Sequence, residues 1–303
     1  MSTVQQYDKS SMSGASAGVL WARVIGFTGL CAVAAFLFHP YGAICSHFMP
    51  QISGFPKYAM WAALGLAMGT AFASIVWLVG RVEKPRNWRT FFRIGPPDLL
   101  GMFLYWAFAL AFSNLSRLFL KEWLWNPAQS FLESLGLPGE AMGASVPAHI
   151  FHVSPVVAMV GLILLLLTIW TEVPEEVFFR GYVQNQLQGR YGKIAALCTS
   201  MLLWDVMHIF APANFVERFF IGACTAGLVF ALRQNVTPVA IMHPLCNRAD
   251  EIGVMFLQIF GVDVTERWYG LVDTVSLWVL ALITAGIWMS LSRHRLPKQD
   301  RDT

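Results

Sequence analysis

The sequence predicts an all-α polytopic membrane protein with about eight transmembrane helices. Composition is the first observation behind this: 56% of the 303 residues are hydrophobic and 13% are charged, against about 25% charged in an ordinary soluble domain. The second is a set of runs without Asp, Glu, Lys or Arg at 24–56, 58–80, 99–116, 153–171 and 274–292, each near or beyond the ~20 residues that cross a bilayer as a helix. The third is the placing of basic residues, which gather mostly on one side of the expected spans.

Taken in order, the spans are expected at 20–39, 58–80, 98–117, 153–172, 194–211, 217–233, 237–260 and 271–292. Residues 1–19 read as a polar, Ser-rich tail and not as a cleaved leader, because no basic stretch closely precedes the first apolar run. The segment 20–292 reads as one transmembrane domain with a core at about 153–260, followed by a basic cytoplasmic tail at 293–303. The loop "RVEKPRNWRTFFR" after the second span is expected to lie on anionic lipid, with Trp88, Phe91 and Phe92 dipping in. The connection 118–152 reads as a surface segment with short interfacial helices and aromatics near the headgroups. The fourth span is expected to continue towards residue 189 and to turn back at "GRYGK", residues 189–193. With the N-terminus inside, 14 Lys and Arg fall on the cytoplasmic side and 6 elsewhere, Arg180 set aside. That asymmetry puts both termini in the cytoplasm of a multi-pass protein of the cell (inner) membrane.

The five cysteines form no CxxC pair and read as buried free thiols. A net charge of +3 is too small to imply a nucleic-acid partner. The implied partners are the lipid bilayer and whatever the polar interior receives.

That interior is the sharpest feature. The stretch "LLLLTIWTEVPEEVFFRGYVQ" at 164–184 runs from pure hydrocarbon-compatible sequence into Glu172, Glu175, Glu176 and Arg180. Charges on apolar helices are costly and face an interior, a cavity or a partner. Two further clusters follow: "WDVMH", Trp204 to His208, and "HPLCN", His243 to Asn247. In each, polar or aromatic ends stand four residues apart, on one helical face. Glu176 can thus pair with Arg180, leaving Glu175 free, and His243 and Asn247 can point into one space. Glu175 and His208 are equally distant from the turn, about 24 Å at 1.5 Å per residue, so the hairpin is expected to bring them level. The site is therefore expected in a cavity formed by predicted helices four to seven. A carboxylate, two imidazoles and an amide suit amide hydrolysis: the carboxylate deprotonates water, a histidine orients it, and donors hold the oxyanion.

Glu175-Glu176-x-x-x-Arg180, Trp204-x-x-x-His208 and His243-x-x-x-Asn247 resemble the CPBP (Abi) family of intramembrane endopeptidases. That family is related to the CAAX prenyl protease and to bacteriocin-immunity proteins. Trp204 stands where the family more often has Phe. The resemblance covers about 170–250 and implies Glu175 as the base acting with His208, His243 and Asn247 as oxyanion donors, and Glu176 and Arg180 in support. Its implied substrate is a membrane-embedded or membrane-anchored protein or peptide. Descriptions of the family as metalloproteases imply a zinc alternative on Glu175, His208 and His243, an adequate ligand set with an open position. Without an HExxH pair, and with Asn247 better suited to donate from its amide, no cofactor is the favoured expectation. A proton-coupled transporter using the same residues and a non-catalytic scaffold or immunity protein are the rivals. The absence of a repeat speaks against the first, and the complete set of site residues against the second.

Overall fold

A computed structural model describes residues 16–48, 55–115, 127, 130, 134, 154–208, 222–247 and 249–260. Among them every regular element is a helix. They are α1 (Ala17–Phe48), α2 (Phe55–Glu83), α3 (Trp88–Phe91), α4 (Leu99–Leu115) and α5 (Pro155–Glu176), then a π-helical segment (Val177–Gln184). After these come α6 (Asn185–Tyr191), α7 (Lys193–Met207), α8 (Thr225–Arg233), α9 (Thr237–Asn247) and α10 (Ala249–Ile259). The expected span at 271–292, most of the connection 118–152 and both tails lie outside the described residues. Among the described residues, three helical stretches are long and apolar enough to cross a membrane: Ala17–Leu37, Ala62–Glu83 and Pro155–Tyr191.

The third of these dominates the architecture. It starts where Ser154 accepts the Val157 N–H and Pro155 occupies the first turn, a favourable helix start because proline lacks a donor the first turn cannot use. It then runs through α5, the π segment and α6, 37 residues in all, or about 55 Å against a hydrocarbon core of ~30 Å. Its two halves have opposite surroundings. Val156, Met159, Ile163, Leu166, Leu167 and Trp170 are exposed, as lipid-facing side chains would be, whereas Phe178 to Leu187 are buried in protein. The run ends at Gly192, whose φ of +84° is a conformation open to glycine and costly for other residues. From there α7 returns along it.

Helix α2 lies against α5, which also packs on α9 and α10; α4 lies on α8 and α9. Pro174 sits inside α5 and has no N–H to offer the carbonyl of Trp170, one turn earlier. That carbonyl is where α2 comes closest: a Cβ on residue 69 would stand 2.4 Å from it, so only glycine fits. One residue on, Thr171 Oγ1 donates to the Gly65 carbonyl at 2.9 Å. Small residues four apart permit this approach of two membrane helices.

The basic loop differs from expectation. Phe92 is fully buried, Phe91 partly so, and Trp88 remains exposed. Phe91 and Phe92 pack edge to face at 4.9 Å, and Phe91 lies 5.9 Å from Tyr182. The segment is an integral part of the core because its apolar rings meet the aromatic face of the π segment, which buries them better than lipid headgroups would. Around it, Arg93 Nε donates to Asn185 Oδ1, Asn185 Nδ2 donates to the Phe91 carbonyl, and the Val236 N–H donates to the Arg93 carbonyl. Arg233 pairs with Asp98 at 2.5 Å, while Arg23 and the Tyr182 hydroxyl both donate to Glu83. Cysteine burial also departs from expectation: Cys31 is buried, but Cys198 is exposed on α7. A thiol behaves as a small apolar group, so a lipid-facing position is as acceptable to it as a core.

Candidate active site

The polar groups of the long helix are held by three partners. On one side the π segment runs parallel to the start of α8: Arg180 Nη2 donates to the Ala223 carbonyl at 3.2 Å, and Gln184 Nε2 donates to the Gly227 carbonyl at 2.9 Å. On another, α7 returns antiparallel, with Ser200 Oγ donating to the Phe179 carbonyl at 3.0 Å and the Trp204 indole N–H donating to Glu175. On the third, α9 is antiparallel to α5. His243 Nδ1 donates to Glu176 Oε1 at 2.5 Å, and Asn247 Nδ2 lies 3.5 Å from Glu172 Oε1. Both helices of this last pair use the four-residue spacing, so two polar rungs form one turn apart.

The two adjacent glutamates have different partners. Glu176 is inaccessible, with Oε2 3.2 Å from Arg180 Nε and Oε1 on His243. Glu175, about 100° around the helix, is buried and receives the neutral indole instead. Glu172 and Trp204 were not among the expected site residues. The charge of Glu172 in an apolar run was the signal for the first; for the second, the signal was the indole N–H of a tryptophan one turn before His208.

Level matching across the hairpin needs correcting. Glu175 meets Trp204, one turn short of His208, and the rungs Glu175–Trp204 and Phe179–Ser200 centre on residues 189–190. The cause is the π segment between Glu175 and the turn: its wider i→i+5 turns advance less per residue than the assumed α-helix. His208 follows at the end of α7, its ring 4.1 Å from that of Trp204 and its Nδ1 2.8 Å from the Trp204 carbonyl. A carbonyl only accepts, so Nδ1 carries the hydrogen, and a neutral ring presents an acceptor at Nε2.

Aromatic groups close the cluster. Tyr105 of α4 stacks on His243 at 6.4 Å, and the Arg180 guanidinium lies 5.5 Å from the Trp204 ring centroid. Arg180 thus faces one anion, one carbonyl and one π-face, all in a dry setting where each counts for more.

Among the described residues, Glu175, Glu176 and His243 form a group able to hold a metal ion, with ligand atoms within 4.8 Å of one another. It differs from the trio expected from the sequence, which had His208 in place of Glu176. Within it, Glu176 and His243 are bonded to each other and Glu176 also to Arg180, so a metal would have to displace those contacts.

Residues 157–249 match the family model described as "Type II CAAX prenyl endopeptidase Rce1-like". Over that stretch the chain is similar to the CAAX-protease family. The match begins in the exposed half of α5 and ends just beyond Asn247, so it spans all three motifs. Neither the curated proteins nor the solved structures compared with the chain gave a match. The family that this stretch resembles is one of proteases, and the apolar helices agree with a membrane protein.

Proposed function

We propose that the protein is an intramembrane endopeptidase that hydrolyses a peptide bond of a membrane-associated protein or peptide. The observation that carries this reading is the unequal treatment of two buried neighbours. Glu176 is taken up by Arg180 and His243, whereas Glu175 accepts from a neutral indole and takes no part in that ion pair. In this reading Glu175 removes a proton from water as the water oxygen attacks the scissile carbonyl carbon. His208 orients that water through Nε2, and His243 and Asn247 face the developing oxyanion. When the C–N bond breaks, the proton held by Glu175 passes to the leaving nitrogen. The products are a carboxylic acid and an amine, with one water consumed.

The substrate enters from the membrane, the protein passes the inner membrane several times, and both termini lie in the cytoplasm. Support for that orientation is the gathering of Arg93, Arg233, Lys84 and Arg190 at the end of the bundle where α2, α6 and α8 finish. The deciding experiment compares wild type with Glu175→Gln in membranes carrying an anchored reporter peptide. The wild type should release the reporter and the variant, equally abundant, should not. Cleavage by both would remove Glu175 from the reaction; cleavage by neither would favour the transporter or scaffold readings.

A further inference from the structure

We propose that Trp204 is the positioning residue for Glu175, fixing through its indole N–H the direction in which that carboxylate meets water; the inference rests on the endopeptidase reading. Three carboxylates, Glu172, Glu175 and Glu176, occupy one short stretch of the long helix, and each has a different donor. Glu176 has a guanidinium and an imidazole, Glu172 is approached by the Asn247 amide, and Glu175 has the indole. The chemistry of the donor decides what remains available. An arginine fork can take both oxygens of a carboxylate and neutralise it. An indole offers one N–H and no charge, so it holds one oxygen and leaves the other, with its lone pairs, for a proton from water.

The indole is itself held without freedom. Trp204 is 2% exposed, one edge of the ring lies where a Cβ on residue 222 would stand 3.2 Å away, and the Arg180 guanidinium covers it. The same residue fixes the other member of the water-activating pair, because its carbonyl takes His208 Nδ1 and its ring packs against the imidazole. One side chain and its own backbone thus set the direction of both base and orienting group, the kind of rigid support on which a productive geometry depends.

Placing 3-benzothienylalanine at position 204 is the discriminating change, since sulfur replaces the N–H while ring shape and π-face persist; Trp204→Phe is the simpler companion. With a quenched, membrane-anchored reporter peptide, kcat should fall by about ten- to a hundredfold, the usual worth of a hydrogen bond to a charged group. KM should be unchanged in the benzothienyl protein, with kcat compared below the melting temperature of both proteins, since loss of a buried donor also lowers stability. Contact is read separately by the indole N–H resonance of nitrogen-15-labelled tryptophan, assigned by its loss in Trp204→Phe. That resonance should move upfield in Glu175→Gln, where a neutral amide replaces the carboxylate. Full kcat in the benzothienyl protein, or an indole resonance indifferent to Glu175→Gln, overturns the proposal. A wild type that cleaves nothing while the resonance still follows residue 175 overturns the endopeptidase reading and the rate role with it, but not the contact.

Discussion

Glu175 and Glu176 differ by one position in sequence and by everything in environment. Removing charge from Glu176 strands Arg180, which is 1% exposed, and breaking one side of a buried ion pair costs about 3–5 kcal/mol. Glu176→Gln should therefore lower the melting temperature in detergent clearly. Glu175→Gln should melt as the wild type does, because a neutral isostere in a buried site needs no desolvation, while turnover falls by at least ~10² if it is the general base. An active Glu175→Gln beside a stable, dead Glu176→Gln would reverse the assignment. Metal dependence belongs to the same scale. With Glu176 and His243 already bonded to each other, prolonged chelation should leave cleavage intact and purified protein should carry less than stoichiometric zinc. Loss on chelation and recovery on adding zinc would instead favour the metal-bound arrangement.

At the level of elements, α2 and α5 approach closely, and the contact depends on two residues of opposite kinds. Pro174 leaves the Trp170 carbonyl without its helical donor, and Gly69 lets another backbone reach it. Gly69→Ala should push the helices apart and cost about 1–3 kcal/mol, as overpacking generally does; a thermal melt unchanged by this substitution would contradict the packing. The pairing was hidden in the sequence, since a glycine in an apolar run says nothing about which carbonyl it faces. The long helix, by contrast, was legible at both ends: Ser154–Pro155 is a recognisable start and Gly192 a recognisable stop. The π segment between them was not, because i→i+5 bonding leaves no periodic mark in eight residues. That single unreadable stretch moved the expected level of Glu175 from His208 to Trp204. The pairing of Glu176 with Arg180 survived, since it is fixed by neighbours four positions apart. The burial of Phe92 was missed for a different reason: a basic loop with aromatics carries the same local signal whether it rests on lipid or on protein.

Across the whole molecule, reporter fusions after residues 86 and 301 should read cytoplasmic and one near residue 130 external; an external signal at 86 would invert the orientation. The expected eight spans rest partly on stretches outside the described residues, such as 271–292, so hydropathy alone speaks for those. The loop between α3 and α4 has a consequence for biogenesis. Gly95 N–H donates to Asn235 Oδ1, Asn235 Nδ2 to the Pro96 carbonyl, and Thr237 Oγ1 to the Gly95 carbonyl, across 139 to 142 positions of sequence. During translation the first helices must therefore wait, with this loop unclasped, until most of the chain has left the ribosome. A nascent chain stalled just after Arg233 should be cut readily by trypsin at Arg89 or Arg93, and one that includes Thr237 in its folded portion should resist. The clasp thereby makes completion of the late helices a condition for closing the early ones, so an unfinished chain is also an open and degradable one.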